Sequence, residues 1–133
     1  MDETLIKKLI NLAKDAQKNA HCPYSSFPVG AALLCENGNI YTGCNVENAS
    51  YGLTICAERT AVFKAVSKGE KKFKAIAIVL FSDNFGVPCG ACRQVLREFG
   101  TDMDVIMAKQ TGEYKIMKLS ELLPESFGPE NLK

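Results

Sequence analysis

Three cysteines and one glutamate carry the chemical signal of this chain. Cys56-Ala57-Glu58-Arg59 is followed farther along by Pro88-Cys89-Gly90-Ala91-Cys92. Three thiolates suit a tetrahedral zinc ion, whose metal-to-sulfur bonds of ~2.3 Å place the sulfurs roughly 3.8 Å apart. Cys89 and Cys92 are three residues apart, a spacing that on a first helical turn leaves their Cβ atoms ~5 to 6 Å apart, within reach of short side chains. Three protein ligands leave a fourth position open for water, as in a catalytic rather than a structural zinc site. Bound zinc lowers the pKa of its water from ~15.7 to ~7, and a carboxylate beside the ligands, Glu58, can then carry protons. Residues two apart on an ideal helix point to different sides, so Cys56 is expected at an N-cap, just before regular geometry begins. Three thiolates on a dication leave a surplus negative charge. Arg59 is the guanidinium placed to hydrogen-bond the sulfurs and withdraw some of it.

These residues need elements to bring them together, and both clusters read as helix starts. Helix formers follow Cys56 through Val66, and Pro88 introduces a second helical run. Free N–H groups and the positive dipole end at each start favour thiolates over thiols. Upstream, Leu5, Leu9, Leu12 and Ala16, flanked by Ile6, Ile10 and Ala13, form the apolar stripe of a first helix ending near Asn19. Residues 27–35 read as a strand, apolar throughout and therefore covered on both faces. Asn37-Gly38 signals a hairpin into an antiparallel partner at 40–45. The helix of 56–67, a buried strand at 75–81, the helix of 89–99 and a strand at 104–108 come next, with a further strand at 114–117. Strand, helix, strand implies a parallel crossover. The expected architecture is α/β and three-layered: one domain over residues 1–133, with a mixed sheet of about five strands flanked by helices on both faces. Ligands in such sheets bind where strands end and helices begin, and both cysteine clusters fall at such junctions.

Composition narrows the class of activity. The hydrophobic share is 47%, enough for a core, yet no apolar run is long enough to span a membrane. The start, Met1-Asp2-Glu3-Thr4-Leu5-Ile6-Lys7-Lys8, is charged and interrupted, so no secretory signal is expected. The six cysteines lie inside regular-looking elements and read as thiols of a reducing cytoplasm. A net charge of +1 offers no electrostatic footprint for a polynucleotide. Cys22, Cys35 and Cys44 lack any constellation and read as packing residues. His21, the only histidine, is the one residue able to convert the three-sulfur group into a closed Cys3His structural site. Residues 69–74 read as a solvated connection, and the tail from Gly128 as loosely ordered unless a neighbouring subunit pins it.

The two clusters fit the zinc-deaminase signature in its all-cysteine form: a ligand, then x-E, then P-C-x-x-C. On this ground the chain resembles the small, one-domain, zinc-dependent cytidine deaminases. The likeness continues through Pro23-Tyr24-Ser25-Ser26-Phe27-Pro28-Val29-Gly30-Ala31-Ala32, Gly43-Cys44-Asn45-Val46-Glu47-Asn48-Ala49-Ser50-Tyr51 and Glu121-Leu122-Leu123-Pro124-Glu125-Ser126-Phe127, essentially the whole chain. The resemblance implies one zinc per chain, held by Cys56, Cys89 and Cys92. It implies hydrolysis of cytidine and 2'-deoxycytidine to uridine and 2'-deoxyuridine with release of ammonia, a step of pyrimidine salvage. Zinc-bound hydroxide would attack C4 while Glu58 moves protons to N3 and to the departing amine. The Ala57 N–H would bind the base oxygen, and the Cys89 carbonyl would accept from the amino group. Asn45 and Glu47 would take the ribose hydroxyls, with Phe27 as an aromatic wall. The similar enzymes are homotetramers, so Tyr51 and Phe127 would come from neighbouring chains.

Two other functions compete. A deaminase for another cytosine nucleoside, such as a blasticidin-type antibiotic, would share the zinc site, although Asn45 and Glu47 fit a ribose pattern. A non-enzymatic, zinc-stabilised interaction module would keep its function without Glu58.

Overall fold

The alternation of apolar side chains in the central strands dictates a sheet buried on both sides. The computed structural model describes residues Met1–Lys133. Five strands, β1 (Val29–Cys35), β2 (Ile40–Cys44), β3 (Phe73–Leu80), β4 (Asp104–Ala108) and β5 (Tyr114–Lys118), form one sheet in the order β2-β1-β3-β4-β5. The β3/β4 pair is parallel and the other three pairs are antiparallel. Along β1, Ala31, Leu33 and Cys35 enter one core while Ala32 and Leu34 enter another. This is the two-residue period of a strand with apolar layers above and below.

Helix α1 (Glu3–Ala16) covers one face with Ile6, Leu9, Ile10 and Ala13. It begins at Asp2, whose carboxylate accepts from the Leu5 N–H at 2.8 Å. Helices α2 (Ala57–Ser67), α3 (Gly90–Arg97) and α4 (Leu119–Leu122) lie on the other face, with Ala57, Ala61, Val62, Ala65, Leu96 and Leu119 in the second core. The result is the mixed, three-layer sheet that the sequence pattern implies.

Topology decides where the helices start. Because β1 is antiparallel to both β2 and β3, β2 runs in the same direction as β3 and β4. The segments that follow β2 and β3 therefore leave the same edge of the sheet, and α2 and α3 both begin there. Gly43 lets α2 lie directly on β2: a Cβ at that position would stand 2.5 Å from the Ala57 carbonyl oxygen and 2.5 Å from the Ala61 nitrogen.

Several boundaries depart from the sequence pattern, each for a local reason. The first strand starts at Val29 rather than at Phe27. Pro28 has no N–H to give, and the Asn45 side chain takes both the Phe27 carbonyl and the Val29 N–H, at 2.9 Å each. Helix α3 stops at Arg97 because its last turn tightens into three-residue bonds up to Gly100, which has φ of 134°. The 69–74 connection is shorter than expected, since Phe73 already pairs with Cys35 across a bulge. The tail from Gly128 is pinned within its own chain: Glu130 pairs with Arg97, and Gly128 donates to Asn131 at 2.8 Å. No helix is long and apolar enough to cross a membrane.

Candidate active site

Cys56 is the N-cap of α2 and Cys89 the N-cap of α3, both in extended conformation and neither capping its helix with its side chain. The short spacing from Cys56 to Glu58 requires this placement. Cys92 follows one turn into α3 and is fully buried. The sulfurs of Cys56 and Cys89 lie 3.8 Å apart, those of Cys89 and Cys92 3.5 Å apart, and all three within 4.8 Å of one another. A tetrahedral ion with ~2.3 Å bonds to sulfur needs about 3.8 Å, so the donor set fits zinc with small adjustment. No histidine belongs to this group. His21 is fixed away from it by its backbone, which pairs with Asn45 and Glu47.

Electrostatics support the same fit. Cys56 is lowered to about 5, first by a hydrogen bond shared with Cys92 and then by Arg59, whose Nη2 donates to the Cys56 sulfur at 3.4 Å. Cys92 is pushed well above the thiol range, because its proton is held by the Cys56 sulfur and because it is buried beside Glu58. One negative charge is thus accommodated without a cation and a second is resisted, a conflict that a dication relieves. Arg59 Nε is buried without a partner. All six cysteines are free thiols. Cys35, buried in the core, is pushed up to about 11 by burial and then by Glu70, which makes it a poor nucleophile.

Glu58, in the first turn of α2, is only 4% exposed. Burial raises it to about 7, against the pull of its own backbone N–H. It lines a cavity of about 200 Å³ together with Val29, Asn45, Thr54, Val87 and Cys89. A second recess, of about 400 Å³, is bordered by Tyr24, Ser25, Glu47, Tyr51 and Thr54. Thr54 belongs to both, so the two hollows share a wall. Glu47 faces the recess as an anion. The Ser25 hydroxyl and the N–H groups of Ser25 and Tyr24 hold it below the ordinary carboxylate range.

The residues singled out in the sequence fall into three places. Cys56, Ala57, Glu58 and Cys89 meet at the inner cavity, with Asn45 on its wall. Glu47 and Tyr51 meet at the outer recess, where the Tyr51 ring lies 5.9 Å from that of Tyr24 in the same chain. Phe27 and Phe127 line neither hollow; they are 38% and 59% exposed. Ser25, Thr54 and Val87 were not singled out beforehand. Thr54 and Val87 each stand two residues before a cysteine of the cluster, which is the local signal that marks them.

Comparison with known proteins identifies the lineage. Residues 3–109 match the model of the cytidine and deoxycytidylate deaminase zinc-binding region. A cytidine deaminase of Sporosarcina psychrophila is 50% identical over 96% of this chain and 94% of its own length. A probable cytidine deaminase of Dictyostelium discoideum is 50% identical over 99% and 90%. The crystal structure of cytidine deaminase from Burkholderia pseudomallei superposes with a TM-score of 0.88 at 45% identity, covering 96% of this chain and all of the other. The chain belongs to the zinc-dependent cytidine and deoxycytidylate deaminase family.

Proposed function

We propose that this protein hydrolyses the exocyclic C4 amine of cytidine and 2'-deoxycytidine, consuming one water and releasing uridine or 2'-deoxyuridine and ammonia. The observation that carries the reading is the buried Glu58 beside three sulfurs at zinc-binding separations, on the wall of a small cavity. Cys56, Cys89 and Cys92 would hold the zinc, which supplies a Lewis acid that makes water nucleophilic at neutral pH. Glu58 would take one proton from the attacking water and pass it to N3, then carry the remaining proton of the new C4 hydroxyl to the amine as the C4–N bond breaks, leaving the C4 carbonyl and ammonia. Its elevated affinity for protons suits a group that must both accept and release one near neutrality. The Ala57 N–H, free at the start of α2, is the donor for the base oxygen, and the Cys89 carbonyl accepts from the amine. Arg59 tempers the charge of the thiolates.

The sugar occupies the outer recess, where the Glu47 carboxylate accepts a ribose hydroxyl, while Tyr51, at the rim of that recess, reaches a neighbouring chain's site. Asn45 contributes from the wall of the inner cavity while holding the Phe27 segment in place. An anionic Glu47 beside the sugar favours an uncharged nucleoside over a nucleotide. Phe127, exposed and remote from its own cavity, closes a neighbouring chain's site in a homotetramer, and Phe27 flanks the nucleoside. The enzyme works as a single domain in the cytoplasm, in nucleoside salvage.

The deciding experiment is E58Q, read by loss of the cytidine absorbance band and by zinc per chain. The variant is expected to keep its metal and lose turnover by about 10²- to 10⁴-fold. Full activity in E58Q ends the proposal. Faster turnover of blasticidin than of cytidine by the wild type would transfer the site to that substrate class.

A further inference from the structure

The segment around Phe127 is ordered with little apolar burial to hold it. Ser126 and Pro129 are half-buried, and Phe127 and Glu130 are exposed. What orders it is a polar grip from one face of α3. Arg97 donates from Nε to the Ser126 hydroxyl at 2.7 Å, and from its two terminal nitrogens to the Glu130 carboxylate at 3.2 and 2.5 Å. Gln94 Nε2 donates to the Phe127 carbonyl at 2.9 Å. The Gly128 backbone lies flat on the guanidinium, where an added Cβ would stand 2.4 Å from Arg97 Cζ. One turn upstream on α3, Arg93 spans the Leu122 carbonyl at 2.7 Å and the Pro88 carbonyl at 2.9 Å, joining the end of α4 to the loop that delivers Cys89. Every residue flanking Phe127 is therefore held, and its ring alone is left free.

The charges are unequal in burial. The Arg97 side chain is 9% exposed and that of Glu130 is 65% exposed. A buried guanidinium left without its carboxylate is unfavourable, so the tail and the helix order together. We infer that Arg97 and Glu130 are positioning residues that hold Phe127 in the outward pose from which it closes a neighbouring chain's nucleoside pocket. The inference rests on the reading above that Phe127 serves that pocket. If the pose is populated only in part, apparent substrate affinity falls by the same fraction while the bond-breaking groups are untouched.

The test is steady-state kinetics with cytidine on the zinc-loaded full chain, comparing the wild type with R97Q, E130Q, F127A and the double variant R97Q/F127A. R97Q and E130Q are expected to raise KM by about tenfold with a much smaller change in kcat. The double variant is expected to be no worse than F127A alone, because both changes remove one function. Amide hydrogen exchange across residues 124–131 should quicken in E130Q. If R97Q does not fold, E130Q carries the test, since its carboxylate is exposed. A raised KM in F127A with wild-type KM in E130Q overturns this assignment alone. A wild-type KM in F127A overturns the shared-pocket reading and the inference with it.

Discussion

Replacing Gly43 with alanine tests whether the chemistry depends on how closely α2 lies against the sheet. The added Cβ would sit 2.5 Å from the Ala57 carbonyl oxygen and from the Ala61 nitrogen, about 0.9 Å inside the 3.4 Å of ordinary contact. Both are backbone atoms of the turn that carries Cys56 and Glu58, so no flexible side chain can absorb the conflict. The start of α2 must lift by on the order of 1 Å. Overpacking of this kind costs about 1 to 3 kcal/mol, small enough against a typical stability of about 5 to 15 kcal/mol for the protein to remain folded. A misplacement of about 1 Å at a reacting group lowers the rate by about 10²-fold. The expected variant is folded by circular dichroism, melts at lower temperature, binds zinc more weakly in competition with a chelator, and deaminates cytidine about a hundredfold more slowly. Gly38→Ala is the control: it meets open space, though at φ of +93°, so its strain is about 1 kcal/mol and its site is undisturbed. Wild-type kcat and zinc affinity in G43A, or an equal loss of activity in G38A, would refute the reasoning.

Three further outcomes follow from the geometry. Arg59→Ala removes a donor that stabilises the Cys56 thiolate, so protons compete better with the metal; the acid edge of zinc occupancy is expected to move to higher pH, with an unchanged edge counting against the role. Glu70 accepts from Asn39, Asn37 and Tyr41, and these bonds, the Asn39 amide first, hold it below the ordinary carboxylate range. Its contribution is full above the unfolded glutamate range and fades as pH falls through the lower folded value. E70Q should melt below the wild type at pH 7, and the gap should close on acidification. Leu9→Ala, in the core on the face away from the sulfurs, is expected to lose about 2 to 5 kcal/mol in denaturant titrations while retaining kcat at low temperature.

How much of this was readable beforehand divides along a physical line. The sulfur cluster is legible because Cys56, Cys89 and Cys92 stand at helix starts, where short spacings translate directly into geometry. The hairpin is legible from Asn37-Gly38, and the buried strands from uninterrupted apolar runs. What the pattern does not reveal are contacts between residues distant along the chain. Asn45 reads as a ligand for a sugar, and the pattern does not reveal that its amide also holds the 27–29 backbone and shortens β1. Arg97 carries no signal in the sequence, because its partnership with Glu130 exists only once the tail has folded back. The tail reads as loose unless a neighbouring subunit pins it, and it is held within its own chain instead.

The sulfurs proposed to hold zinc and the proposed acid all come from the first turns of two helices that share one edge of the sheet, whereas the residues proposed for the sugar sit on the irregular segments outside it. Bond cleavage is thereby assigned to the helix starts and the grip on the sugar to the connecting segments. A lineage built this way can exchange one nucleoside for another by changing its loops, without disturbing the machinery that removes the amine.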